Sequence, residues 1–133
     1  MADSVLIVDD HREFVLGLRL FLEGQGYRVL EAHDGAEGLE VIRRERPDLV
    51  ILDVLMPRVD GWTVLRLLQS QEETATIPVL ILTALSEPIS VVHGYKLGCT
   101  WFCSKPVATC TDLALVVRRL LDVARDEAQL LAA

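Results

Sequence analysis

The chain has 133 residues, 51% hydrophobic and 25% charged, which suits one domain with one ordinary core and excludes a disordered chain. Its 13 Lys and Arg against 20 Asp and Glu leave a formal net charge of −7, a balance that argues against general binding to a nucleic-acid backbone. No apolar run approaches the roughly 18 to 20 residues of a membrane span, and the four-residue run near the start is too short for a signal peptide. Three cysteines, Cys99, Cys103 and Cys110, make neither an even disulfide set nor a CxxC metal pair. A reducing, cytoplasmic setting is therefore expected, with no membrane and no direct nucleic-acid partner.

Val5-Leu6-Ile7-Val8 opens the chain's pattern of short apolar runs. It lacks period-2 alternation and is rich in β-branched residues, as in strands covered on both faces. Phe14, Leu18, Phe21 and Leu22 then recur at helical spacing, followed by a weaker strand at Arg28–Ala32. Ala36, Leu39 and Ile42 mark a second amphipathic helix that must stop before Pro47. Leu49-Val50-Ile51-Leu52 is the third strand, and Val64, Leu65, Leu67 and Leu68 mark the third helix. Val79-Leu80-Ile81-Leu82 is the fourth strand, and Pro88 to Leu97 is the fourth helix, closed by Gly98. Trp101-Phe102-Cys103 is a weak fifth strand. Asp112 to about Asp126 is the fifth helix, with a core stripe of Leu113, Val116, Val117, Leu120 and Ala124.

Five strand-then-helix repeats predict an α/β domain, a doubly wound five-stranded parallel sheet with five helices on its two faces. The core domain is expected over 1–125. The stretch 126–133 either continues the last helix, ends frayed, makes a dimer contact or begins a connector to an output domain.

The polar residues that close the strands carry the functional signal. Asp9-Asp10 follow the first strand, Asp53 the third, Thr83 the fourth, and Ser104-Lys105-Pro106 the fifth. Open α/β sheets bind ligands beyond the carboxyl ends of their strands. With strand order 2-1-3-4-5 the three carboxylates converge, opposite Thr83 and Lys105. Acids gathered this way repel one another unless a cation joins them, and Mg²⁺ with oxygen ligands meets that need. Lys105 offers a point charge and Thr83 a hydroxyl, which suits a phosphoryl group that a carboxylate could itself accept.

On these residues the chain resembles the receiver domain of bacterial two-component response regulators, over roughly residues 3 to 125. The matching features are Asp9-Asp10, Leu52-Asp53-Val54-Leu55-Met56-Pro57, Asp60-Gly61, Leu82-Thr83-Ala84, Gly98, Phe102 and Lys105-Pro106. The resemblance implies a flavodoxin-like (CheY-like) fold of strand order 2-1-3-4-5. It implies Asp53 as phosphoryl acceptor, supplied by a sensor histidine kinase or a phosphotransfer protein. It implies Mg²⁺ held by Asp10, Asp53 and the main-chain carbonyl of Leu55, with Asp9 acting through water. Thr83 and Lys105 are implied as contacts to the phosphoryl oxygens, with a cis peptide at Lys105-Pro106. Thr83 and Phe102 are implied as a switch pair that remodels the face of the fourth helix, fifth strand and fifth helix. Such a chain is not a conventional enzyme; it catalyses its own Mg²⁺-dependent phosphorylation and slow dephosphorylation. Its downstream partner is an output domain or protein, and a homodimer is possible.

Other readings compete at single residues. Asp53 could cap the loop after it, and Asp9 and Asp10 could serve as acids at a helix start. Met56-Pro57 and Gly61 read as loop geometry, with Gly61 permitting a left-handed turn. His11 reads as a loop residue near a helix start that could reach the mouth of the site, and His93 as a residue on the fourth helix. The cysteines read as small packed hydrophobes. Trp101 is either additional core or an exposed partner contact. Leu55 and Leu85 stand where many relatives carry a polar residue, and leucine cannot orient a hydrolytic water, so a long-lived phosphoryl group is expected. Whole-chain rivals are weaker. An Asp-nucleophile phosphatase wants a second acid two residues on, where His11 and Leu55 stand. A flavin or nucleotide carrier wants a glycine-rich loop that does not follow the first strand. The remaining alternative is a receiver-like interaction module that is never phosphorylated.

Overall fold

A computed structural model describes residues 2–106 and 112–132. Its elements run β1 (Ser4–Val8), α1 (Arg12–Gly24), β2 (Arg28–Ala32), α2 (Gly35–Glu45), β3 (Leu49–Leu52), α3 (Gly61–Gln69), α4 (Glu72–Ala75), β4 (Val79–Thr83), α5 (Pro88–Lys96), β5 (Trp101–Ser104) and α6 (Leu113–Ala132). The five strands form one sheet of order β2-β1-β3-β4-β5, every pair parallel. Fold class and strand order agree with expectation, but the described residues hold six helices rather than five. The extra one, α4, is a single turn of four residues, too short to show a helical period. Its buried Thr74 hydroxyl donates to the Leu68 carbonyl at 2.7 Å, so tertiary contact holds it. The fourth and fifth predicted helices are thus α5 and α6.

Two cores flank the sheet, and strand parity assigns residues to them. Val5, Ile7, Leu49, Ile51, Leu80, Leu82 and Cys103 pack under α1 and α6. Leu6, Val8, Val50, Leu52, Val79 and Ile81 pack under α2 and α3, with Cys99 beside them. The inner strands β1, β3 and β4 alternate between two dry faces, which is why their sequences read as apolar runs. Burial of this kind is the main driving force for the fold, at about 25 cal/mol per Å² of apolar surface removed from water.

Several local readings shift. On α1 the buried stripe is Val15, Leu18 and Leu22; Phe14 is half-buried and Phe21 is 42% exposed. On α6 Leu121 is buried, while Ala124 sits at the margin. That helix runs on to Ala132 because residues 127–132 contain neither Gly nor Pro, and Leu130 and Leu131 project into solvent. Pro88 stands at the start of α5, and Gly98 follows that helix at φ 103°. Cys99 and Cys103 are buried, and burial pushes the Cys99 thiol up to about 11. Cys110 lies outside the described residues. Trp101, on the edge strand, is 43% exposed. His93 is exposed on α5, its ring edge-on to Trp62 at 4.7 Å between centroids.

Candidate functional site

The parallel register places the ends of β1 and β3 side by side, with Val8 opposite Leu52. The next residue on each strand is therefore an acid at the same rim. Backbone hydrogen bonds extend the ladder one step further: the Asp9 N–H donates to Ala32 O and the Asp53 N–H to Val8 O, both at 3.0 Å. This holds Asp9 and Asp53 at 2% exposure although both carry carboxylates. From the far side of the sheet Lys105 reaches across β4. Its Nζ lies 2.7 Å from Asp9 Oδ2 and 3.6 Å from Asp53 Oδ2. The Lys105–Pro106 peptide is cis, as the resemblance implied.

The two oxygens of Asp53 differ. Oδ1 accepts from the Leu55 N–H at 3.1 Å, so the loop-capping reading is partly true. Oδ2 faces the Lys105 ammonium beyond hydrogen-bond range, and this is the oxygen left for chemistry. Asp9 Oδ1 accepts from the His11 N–H at 2.8 Å, which turns the chain into α1. Asp10 Oδ1 is buried and accepts no hydrogen bond. An orphaned carboxylate oxygen beside two further carboxylates is a donor set for a hard cation. One donor atom from each of Asp9, Asp10, His11 and Asp53 can be chosen so that all lie within 4.8 Å of one another. The residues fit a divalent ion.

Thr83 is fully buried at the end of β4, opposite Ser104 in register. Its main-chain oxygen accepts from the Lys105 N–H at 2.6 Å, tying the lysine's backbone to the same strand end. The Thr83 hydroxyl accepts from the Leu85 N–H at 3.5 Å. Leu55 is 48% exposed over the loop, and Leu85 is half-buried. Phe102 packs on the α5 side of the sheet, where an added Cβ on Gly94 would lie 3.0 Å from its ring and 3.2 Å from Ile81. Gly94 is the notch that admits the ring. The Phe102 N–H donates to the Tyr95 hydroxyl at 3.2 Å, and burial raises the pKa of that phenol.

Gly61 has a different role from the one expected. The left-handed residue in the β3–α3 loop is Arg58, at φ 66°. Gly61 instead makes a close approach: a Cβ there would meet Asp53 O at 2.3 Å and Val54 Cα at 2.5 Å. The Asp60 side chain caps α3 through the Thr63 N–H at 2.9 Å, which sets that approach. Phe14 also escaped sequence reasoning, because its partner is distant in the chain. Lys105 Nζ sits 4.1 Å from the centroid of the Phe14 ring, a cation–π contact that steadies the ammonium. The same ring lines an apolar groove of about 310 Å³ with Gly17, Leu18, Phe21 and Leu113.

Comparison with known proteins agrees with this geometry. Residues 5–117 match the response regulator receiver domain family. The response regulator MprA of Mycobacterium ulcerans is 43% identical over 121 residues, which is 91% of this chain and 51% of that protein. Protein PilH of Pseudomonas aeruginosa is 37% identical over 103 residues, 77% of this chain and 85% of that one. Among solved structures, the signal receiver domain of a signal transduction histidine kinase from Syntrophus aciditrophicus superposes with a TM-score of 0.80 at 40% identity, covering 91% of each chain. The chain belongs to the response regulator receiver domain family, and its pocket of Asp9, Asp10 and Asp53 is consistent with a phosphoaspartate site. It spans about half the length of most of the curated relatives it matches. Among the described residues no helix is long and apolar enough to cross a membrane.

Proposed function

We propose that Asp53 is the phosphoryl acceptor of a two-component pathway in the cytoplasm. A histidine kinase or histidine phosphotransfer protein would be the donor and Mg²⁺ the metal. The observation that carries this reading is the pairing of Lys105 with Asp9 at 2.7 Å while Asp53 Oδ2 stands apart at 3.6 Å. Asp10, Asp53 and the Leu55 carbonyl would hold the ion, with Asp9 acting through water. When bound, Mg²⁺ neutralises charge on the phosphoryl oxygens. The chain's own residues do the rest. Asp53 Oδ2 attacks phosphorus in line, the P–N bond to the donor imidazole breaks, and its electron pair leaves with that nitrogen. Lys105 shifts from Asp9 towards the new phosphoryl oxygens, and the Thr83 hydroxyl donates to another. The groove beside Phe14 shares a wall with Lys105, which supports it as the landing surface for the donor.

Output follows from the Thr83 movement. As the hydroxyl turns towards the phosphoryl group, Phe102 moves into the volume it leaves, and the α5–β5–α6 face changes shape. Driving such a switch from 1:99 to 99:1 needs about 5.5 kcal/mol of differential stabilisation. Charge-assisted hydrogen bonds at roughly 1.5 to 3 kcal/mol each supply it. Phe102 carries no hydroxyl to hydrate, so Phe102→Tyr is expected to lower the inward ring population seen by NMR; a more buried Tyr ring defeats this account.

The decisive measurement is intact mass after incubation with Mg²⁺ and a small acyl phosphate. One phosphoryl increment is expected, absent in Asp53→Asn. No increment in the wild-type chain would leave the unphosphorylated interaction module, and an increment that survives Asp53→Asn would move the acceptor elsewhere.

A further inference from the structure

His11 is the residue at the site that phosphoryl chemistry does not use. Its ring is 66% exposed, yet Nδ1 lies 3.2 Å from Asp9 Oδ1 and 3.4 Å from Asp10 Oδ1. Its own N–H donates to Asp9 at 2.8 Å, so the ring is tethered at the rim. An octahedral ion with bonds of about 2.1 Å separates neighbouring ligands by about 3.0 Å and opposite ones by about 4.2 Å. Donor atoms of Asp9, Asp10, His11 and Asp53 gathered within 4.8 Å come close to that spread, and the orphaned Asp10 Oδ1 is among the carboxylate oxygens at the pocket.

Carboxylates and carbonyls alone favour magnesium, calcium and manganese. An imidazole adds a donor that cobalt, nickel and zinc bind well and magnesium binds poorly. A neutral ring with its proton on Nε2 presents the Nδ1 lone pair without any change of charge. We infer that His11 supplies a nitrogen ligand to the ion held by the acidic pocket, widening its choice of cation from Mg²⁺ to borderline divalent transition ions. This rests on the reading of that pocket as the metal site.

The test uses the whole chain and two readouts. Calorimetric titration compares Mg²⁺ with Co²⁺ in wild type, His11→Ala and Asp10→Asn, and pulsed EPR of the Mn²⁺-loaded chain looks for nitrogen coupling. His11 is exposed, so the alanine variant keeps its fold. The inference expects a nitrogen coupling that disappears in His11→Ala. It also expects Co²⁺ affinity in that variant to fall by roughly tenfold or more, the lower bound for disturbing even an outer partner of a metal site, with Mg²⁺ affinity nearly unchanged. Tight binding with no nitrogen coupling overturns the role of His11 and leaves the acidic site intact. Coupling that persists in His11→Ala assigns the nitrogen to another group and overturns it too. Mg²⁺ binding that is absent, or indifferent to Asp10→Asn, overturns the pocket as the metal site and this inference with it.

Discussion

The two ends of the central strands treat acids in opposite ways. At the amino end, Asp48 is exposed to water, yet its Oδ2 accepts from both the N–H and the hydroxyl of Ser4, at 2.8 and 3.1 Å. Ser4 O in turn accepts from the Asp48 N–H at 2.9 Å, a closed set that staples β1 to β3. At the carboxyl end, Asp9 and Asp53 are buried, one lysine serves both, and Asp10 Oδ1 has no hydrogen bond. Stability alone would distribute donors the other way, since an unpaired buried acceptor costs about 1 to 3 kcal/mol and an exposed one costs little. The rim therefore holds unspent binding capacity, and the amino end holds ordinary structure.

That contrast can be broken most sharply at Asp10. Removing one of three like charges is expected to stabilise the metal-free chain. The gain is about 1 kcal/mol or more, taking a water-like dielectric at 4 Å as the lower bound. The same Asp10→Asn change should abolish stabilisation by Mg²⁺, which in the wild type reaches about 2.7 kcal/mol at a hundredfold excess over its dissociation constant. Urea unfolding with and without Mg²⁺ measures both; a destabilised, Mg²⁺-responsive variant would erase the distinction between the two ends. Next in size is the lifetime of the phosphorylated state. Leu55→Asn or Leu85→Glu provides a group to orient water, and one hydrogen bond of about 1 kcal/mol corresponds to roughly fivefold faster loss. Loss followed by mass spectrometry that is equal or slower in both variants would show that the leucines do not shield the group. The smallest effect belongs to the amino end. Ser4→Ala should cost about 1 kcal/mol in urea unfolding, identical with and without Mg²⁺.

The same contrast explains what could be read without coordinates. β1, β3 and β4 were legible because both faces are dry, and the rim was legible because each run stops at a polar residue. Asp9, Asp10, Asp53 and Lys105 meet as that pattern requires. Contacts that join distant parts of the chain left no trace in periodicity. Phe14 fits a helical stripe equally well whether it faces core or ammonium, and His11 beside two acids looks like any loop histidine. α4 is about one helical turn long, too short for a repeating pattern to show in sequence. Gly61 was legible as important, but turn and contact are indistinguishable until the main chain of Asp53 is seen 2.3 Å from where its Cβ would be.

That contact sets the mutational tolerance of the whole loop. Position 61 abuts main chain rather than a movable side chain, so even alanine would have to push apart the end of β3 and the first turn of α3. Positions 55, 57 and 58 are exposed, and of these only Arg58 is held in a left-handed backbone conformation. A deep substitution scan across 53–61 should show tolerance at the exposed positions 55 and 57, set between intolerant ones: Asp53 with its carboxylate, the buried Val54 and Met56, and Gly61 with no room for a Cβ.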